Sequence, residues 1–258
     1  MKTSFVRTLF ASAVLALACG SASAMVVTNS SNAATLANVL TGTGVSISNA
    51  TYSGASAVAS GIFTDGGNIG FGNGIVLTTG TTACAVGPNT STACSGEGAT
   101  TTLKFDVTSE SGTFFFNYVF ASEEYNEYVG SAYNDLFEMK LNGVNIALLP
   151  NGGGLVSINN VNNNINSAYF RDNSSGIYNT QFDGLTTVLT AQALLAAGVN
   201  TFEVTVKDVG DNGLDSGVFL QAGTFAATQT PVEVPEPGSV ALMALGLVAL
   251  GKMRRKAR

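Results

Sequence analysis

Carboxylate side chains follow two largely apolar runs of this sequence, and they are the groups best able to do chemistry. The run at residues 114–120 leads directly into Glu123, Glu124 and Glu127. A second acidic stretch, KDVGDNGLDSG at residues 207–217, follows another run of strand type. Because both stretches come where a strand ends, they could bring oxygen ligands together. The predicted site residues are Glu123, Glu124, Asp135, Asp208, Asp211 and Asp215.

A site built from these residues would bind a cation. Carboxylates crowded at one end of a sheet repel each other unless a cation lies among them. The sequence contains no histidine, so the ligands are oxygen atoms, which select a hard ion. Ca²⁺ takes about six to eight oxygen ligands in flexible geometry, and we predict Ca²⁺ as the cofactor. The alternative is a set of solvated loop carboxylates that keep a β protein soluble.

Catalysis is not expected. Without histidine, Ser-His-Asp and Cys-His triads are excluded. A glycosidase needs two facing carboxylates, but Glu123 and Glu124 are neighbours, and neighbours on a strand point to opposite faces. The sequence has no tryptophan, so a sugar-stacking surface would have to use Tyr125, Tyr128 or Tyr133. A glycan-binding module and a carboxylate-dependent glycan-active enzyme remain the alternatives to a non-catalytic adhesive protein.

Short strands must position these groups. The sequence has thirty glycines and only 11% charged residues, and its short runs rich in Val, Phe and Tyr are typical of strands joined by tight turns. Residues 201–207 alternate apolar and polar side chains, as a half-buried strand does. Asn142-Gly143, between apolar runs, predicts a hairpin with strands at 136–141 and 144–149. One brief helix is predicted at 33–40.

The length fits a single domain. Without its two terminal signals the chain keeps about 200 residues, the size of one sandwich or barrel. Short alternating strands need two facing sheets, so that each sheet buries one face. We therefore predict a mostly β fold, a single antiparallel β-sandwich of jelly-roll type at residues 25–228. Strands are expected at 74–78 and 218–225, and a long surface loop at 159–166.

The charge distribution excludes nucleic acid as a partner. All seventeen acidic residues lie between Asp65 and Glu236, where only four basic residues occur, so this part of the chain carries a net charge of −13. Such a body repels phosphate backbones and attracts cations.

Two cysteines lie in the polar loop after the strand at 74–78. Cys84 and Cys94 are ten residues apart, and exported proteins meet an oxidising compartment. We predict a Cys84–Cys94 disulfide, which tethers its loop and stabilises the fold by about 3 kcal/mol. A CxxC-type redox or zinc site would need a different spacing.

The N-terminal residues 1–24 are predicted to be a secretory signal peptide. Lys2 and Arg7 precede an apolar run, and residues 22–24, Ala-Ser-Ala, form a small-x-small cleavage pattern. Signal peptidase is therefore expected to cleave after residue 24. Cys19 leaves open the alternative of a lipoprotein, although the usual leucine is missing upstream.

The C-terminal residues 229–258 are predicted to be a linker and a sorting signal. Pro235, Glu236 and Pro237 precede a mostly apolar run at 239–251 and a basic cluster. As a helix that run would span about 20 Å, less than the bilayer's hydrocarbon core of about 30 Å, so it would be a short transmembrane segment. This order resembles the PEP-CTERM sorting signal of Gram-negative bacteria. The resemblance implies a transient inner-membrane intermediate, cleavage near residues 235–238 by an exosortase, and release to the cell surface or matrix.

The body of the chain is similar to the choice-of-anchor L domain family. The similarity is carried by residues 74–80, 118–125 (YVFASEEY), 134–135, 182–186 (FDGLT), 208–211 and 215–219. It implies pairing with interchangeable surface anchors and no reaction. We therefore expect an exported, surface-sorted, non-catalytic and adhesive protein of the cell envelope or of an extracellular polysaccharide (biofilm) matrix, stabilised by Ca²⁺.

Overall fold

A computed structural model describes residues 24–90, 94–96, 98–109 and 112–232. The predicted signal peptide up to residue 23 lies outside these residues, as do the sorting motif Pro235, Glu236 and Pro237 and the apolar run at 239–251. Within the described part of the chain, no helix is long and apolar enough to cross a membrane.

The described residues form fifteen strands, one α-helix and four 3-10 helices. The strands are β1 (Val26–Asn29), β2 (Val45–Ser53), β3 (Ser60–Thr64), β4 (Gly74–Thr78), β5 (Thr100–Ser109), β6 (Thr113–Ser122), β7 (Leu136–Leu141), β8 (Val144–Asn145), β9 (Leu148–Leu149), β10 (Gly154–Ser157), β11 (Phe170–Asp172), β12 (Gly184–Thr186), β13 (Leu189–Leu194), β14 (Asn200–Lys207) and β15 (Ser216–Gln221). The helices are α1 (Ala33–Leu40) and the 3-10 turns Gly67–Ile69, Thr82–Ala85, Pro150–Gly152 and Ser167–Tyr169.

The strands make two antiparallel sheets that do not close into a barrel. The first sheet has the order β1-β3-β4-β15-β6-β12-β11, and β13 also pairs with β6. The second has the order β2-β5-β14-β7-β10-β9, and β8 pairs with β7. With 43% strand and 10% helix, the predicted mostly β sandwich is confirmed.

The main core lies between the two sheets. Along β14, Phe202 and two valines are buried, as the period of two requires. The alternate side chains are partly or fully exposed except for Thr205, which is buried. The ring of Phe202 lies 4.6 Å from that of Phe114 and 5.8 Å from that of Phe105, and Phe225 closes the cluster. Burial of each such side chain contributes about 1.5–3 kcal/mol, so this aromatic cluster is a main source of stability.

The first sheet is also covered on its outer face. Val76, Val119 and Phe219 point away from the main core and pack with Phe182 and Cys84 in a second apolar cluster. β6 is therefore buried on both faces, and its last seven residues are all buried. Loops, not a third sheet, provide this cover.

The outer face of the second sheet is polar. Lys104 and Lys140 both lie beside Glu203, at 3.9 and 4.0 Å, and Lys140 also pairs with Glu138 at 3.0 Å. Exposed pairs of this kind contribute at most about 1 kcal/mol each. The ion pairs on this face therefore contribute little to the free energy of folding.

Local signals explain where the predicted elements were right. α1 covers the predicted residues 33–40. Asn32 caps it, because its side chain accepts the N–H of Thr35 at 2.9 Å. The hairpin at Asn142-Gly143 is present, since both residues have the positive φ that its turn needs. Residues 159–166 are a loop, as predicted.

Two predicted strands differ in extent. The strand at 144–149 is interrupted, because Asn145 Oδ1 accepts the N–H groups of both Met139 (3.0 Å) and Ala147 (3.1 Å), so a side chain replaces part of the ladder. The strand at 218–225 instead covers Ser216–Gln221. The chain leaves the sheet there and turns at Gly223, whose φ is 69°.

Candidate functional site

Strand pairing brings the two acidic stretches to one end of the sandwich. In the second sheet Lys207 pairs with Leu136, so the next positions place Asp208 beside Asp135. In the first sheet Ser216 pairs with Ser122, and the N–H of Glu123 donates to the carbonyl of Asp215 at 3.0 Å. The predicted meeting of the two stretches therefore occurs at the ends of β6, β7, β14 and β15.

β6 divides the six predicted residues between two sides. Glu124 interacts electrostatically with Asp135, Asp208 and Asp211. We call these four residues the inter-sheet acidic group. Glu123 instead interacts with Asp215 and with Asp183. These three residues form the outer acidic group. Glu123 and Glu124 lie in the turn directly after β6. The separation is incomplete, because Glu127 interacts with both of them and Asp215 also interacts with Asp135 and Asp208.

Asp135 is the member of the inter-sheet acidic group whose two oxygens both accept hydrogen bonds. It is fully buried, and its two oxygens accept the Val209 N–H at 2.8 Å and the Ser216 hydroxyl at 2.7 Å. The Ser122 hydroxyl lies 2.7 Å from that of Ser216. Burial raises the pKa of Asp135 to about 6, although both hydrogen bonds oppose the shift. Its role as it stands is to join the two sheets.

Glu124 and Asp208 carry the unsatisfied oxygens of the inter-sheet group. Their exposed fractions are 2% and 5%, and within the described residues Glu124 Oε2 and Asp208 Oδ1 have no hydrogen-bond partner. Burial, followed by repulsion from Asp135, raises the pKa of Glu124 to about 8 and that of Asp208 to about 7. A buried carboxylate without a partner is costly, so both groups favour a bound proton or cation.

The outer acidic group lies under the disulfide loop. Glu123 is 3% exposed and its Oε1 lacks a partner within the described residues. Its carboxylate accepts the N–H of Cys94, but burial and then Asp183 raise the pKa of Glu123 to about 8. Asp215 has a hydrogen-bond donor for each of its oxygens, since it accepts the N–H groups of Thr81 and Gly96, each at 2.8 Å.

Asp183 was missing from the predicted site. Gly184 pairs with Ser122, so Asp183 lies beside Glu123 on the side opposite to Asp215. Asn89 Nδ2 donates to it at 2.6 Å, while burial raises the pKa of Asp183. The sequence signals for it were its position directly before the short strand β12 and its place in the FDGLT motif at residues 182–186.

The predicted disulfide is present. Cys84 and Cys94 are bonded, with their Cα atoms 5.5 Å apart, a normal separation for the bond. Cys84 belongs to the outer apolar cluster, and the main chain around Cys94 provides donors to Glu123 and Asp215. The loop is thus part of the outer acidic group's surroundings.

The carboxylates do not form a ready coordination shell. Among the described residues, no group of three or more His, Cys, Asp or Glu side chains is placed to hold a metal ion. Any cation in the inter-sheet group would therefore require side-chain rotation.

One of the three tyrosines considered for a sugar-stacking surface is not available for it. Tyr125 is fully buried and its hydroxyl donates to the carbonyl of Val161 at 2.6 Å. Tyr128 is 38% exposed and meets Tyr133 edge to face, with ring centroids 5.3 Å apart. Of the three, Tyr125 cannot present its ring to a ligand.

Comparison with known families covers most of the chain. The model of the choice-of-anchor L domain matches residues 25–226, and that of the PEP-CTERM protein-sorting motif matches residues 233–256. No curated protein and no solved structure matches the chain.

Proposed function

Since the chain belongs to the choice-of-anchor L domain family, we propose that its β-sandwich is a non-catalytic adhesive module of an extracellular polysaccharide matrix, stabilised by Ca²⁺. The PEP-CTERM motif implies export, surface sorting in a Gram-negative bacterium and processing by an exosortase. Removal of the signal peptide by signal peptidase and a transient inner-membrane intermediate complete the proposed route.

The observation that supports the calcium proposal is the pair of unpaired, buried oxygens in the inter-sheet acidic group. Glu124 Oε2 and Asp208 Oδ1 lack donors within the described residues, and both carboxylates interact with Asp135 and Asp211. One cation can serve both oxygens at once. Ca²⁺ suits the purpose because its coordination is flexible and can include water.

Glu124 Oε2 and Asp208 Oδ1 could instead be protonated. The test must therefore distinguish a bound cation from bound protons. The pKa values of Glu124 and Asp208, about 8 and about 7, favour protons only in the absence of a cation. Extracellular calcium modules bind with Kd of about 10⁻⁴ to 10⁻³ M. A hundredfold excess over Kd adds about 2.7 kcal/mol to stability.

Thermal unfolding of the mature protein tests calcium binding. At pH 7.5 we expect millimolar Ca²⁺ to raise the melting temperature above that in EDTA. The double variant Glu124→Gln with Asp208→Asn should lose this response while staying folded, because both changes remove a buried charge. Glu203→Gln, on the outer face of the second sheet, is the matched control and should respond like the natural protein. An equal response in all three proteins would place calcium elsewhere.

The non-catalytic proposal is supported by the positions of the carboxylates. Apart from Glu127, Glu123 and Glu124 interact with different carboxylates, which does not favour a facing pair across a substrate. Glu124 and Asp208 are buried at the end of the sandwich, where a polysaccharide chain has no access.

Incubation with the producing cell's matrix polysaccharide tests this point. We expect the protein to be retained by the polysaccharide and the polymer's chain length to stay unchanged in size-exclusion chromatography. Shortened products that disappear with Glu124→Gln would establish the glycan-active alternative instead.

A further inference from the structure

A cavity of about 500 Å³ opens beside the loop between β3 and β4, and none of its lining residues belongs to either acidic group. Its lining offers hydroxyl, carboxylate and amide groups from Thr64, Asp65, Asn68, Asn73 and Asn179, together with two glycines. The volume lies in the range of about 300–1,000 Å³ that is typical of small-ligand sites.

The walls of this cavity are held in place. Asn68 Nδ2 donates to the carbonyl of Ile177 at 3.2 Å, and its Oδ1 accepts the N–H of Asn179 at 2.9 Å. The N–H of Gly66 donates to the carbonyl of Gly72 at 2.9 Å and closes the loop. The two walls are therefore connected before any ligand arrives, as expected of a preformed site.

Neither steric crowding nor the backbone conformation requires glycine at the two lining positions. A Cβ added to Gly67 or to Gly72 would meet nothing within 4 Å, and neither residue has the positive φ that favours glycine. By contrast, a Cβ on the neighbouring Gly66 would lie 2.9 Å from the carbonyl oxygen of Phe71. At Gly67 and Gly72 the backbone is therefore open to close approach by a ligand.

The chemistry of the lining selects a neutral ligand rich in hydroxyl groups. Among the residues that the structure describes, the lining includes no Lys or Arg and its one charged residue is Asp65, so an anion would be repelled. The nearby Arg171 donates to the carbonyls of Ile69 and Thr186 and so is used inside the protein. We propose that this cavity binds one neutral saccharide unit of a polysaccharide, which gives the proposed matrix adhesion its ligand class and rests on that function.

Affinity electrophoresis of the mature protein tests the proposal. The gels contain dextran, galactomannan or mannan as neutral polymers and polygalacturonate as the acidic one. We expect retardation by at least one neutral polymer and none by polygalacturonate. Gly72→Leu fills the cavity and should weaken that binding by about tenfold or more, which corresponds to about 1.4 kcal/mol. Asp65→Asn should weaken it without adding bulk.

Gly112→Leu is the matched control. Gly112 also has open space around its Cβ position and no positive φ, but it lies outside the lining. This variant should bind like the natural protein, and all three variants should keep the natural melting temperature.

Three results would overturn the cavity proposal: retardation by no neutral polymer, retardation by polygalacturonate alone, or equal binding by the natural protein and Gly72→Leu. The last result, combined with continued retention by the producing cell's matrix, would leave the adhesive function standing. Loss of matrix retention in the natural protein would instead contradict the proposed function itself.

Discussion

In EDTA, the stability of this protein should fall as the pH rises from 5 to 8. Burial raises the pKa of Glu124 to about 8 and that of Asp208 to about 7, whereas carboxyl groups of an unfolded chain titrate near pH 4. Between those limits the folded state holds more protons than the unfolded chain. Linkage then requires the free energy of unfolding to decrease with rising pH across this window.

The size of the effect can be bounded from these two residues. We count one pKa unit for each as a lower bound, because the two carboxyl groups interact with each other and with Asp135 and therefore titrate together. At about 1.4 kcal/mol per unit, the pair contributes about 3 kcal/mol. For a protein of this length, 1 kcal/mol shifts the melting temperature by about 2–4 °C, so the total shift should be about 6–12 °C.

Differential scanning fluorimetry in EDTA at pH 5, 6, 7 and 8 measures this dependence. Saturating Ca²⁺ should reduce it, because a cation replaces the protons of the inter-sheet acidic group. Glu124→Gln with Asp208→Asn should also reduce it, leaving the part that comes from Glu123 and Asp135, whereas Glu203→Gln should keep the natural slope. A melting temperature in EDTA that is constant or that rises from pH 5 to 8 would refute the reasoning.

Three further predictions concern stability and maturation. Replacing Cys84 and Cys94 by alanine should lower the unfolding free energy by about 3 kcal/mol, as measured by urea denaturation under oxidising conditions. Phe202→Ala, which empties the centre of the main aromatic cluster, should cost about 3–5 kcal/mol in the same assay. Intact-mass analysis of the exported protein should show cleavage after Ala24 and near residues 235–238.

The sequence was informative wherever a local pattern determines structure. The alternation along β14 gave its buried face correctly. It does not extend to Glu123 and Glu124, which lie in the turn after β6. Asn142-Gly143 fixed its hairpin because few residue pairs accept two positive φ angles. These signals are local, and so they can be read from a single chain.

Other features depend on partners far along the chain. Asp135 and Asp208 meet through the pairing of β7 with β14, which no local pattern specifies. Asp183 was missed because β12 has only three residues. The cavity was not predictable, since it exists only where the loop between β3 and β4 meets Asn179. Asn145 interrupted a predicted strand through side-chain bonds that composition does not reveal.

The disulfide loop has a consequence for when the chain can fold. The N–H groups of Cys94 and Gly96 reach Glu123 and Asp215 only when the loop is closed over the first sheet, and the bond that closes it forms in an oxidising compartment. Before export, the reduced chain should lose the Cys94 donor to Glu123 and the Gly96 donor to Asp215, although Asp215 keeps the Thr81 N–H as a donor, and should remain loosely packed. A loosely packed precursor is competent for translocation, so crossing the membrane would itself trigger folding. Limited proteolysis of the reduced and the oxidised protein should reveal this difference as faster cleavage of the reduced form.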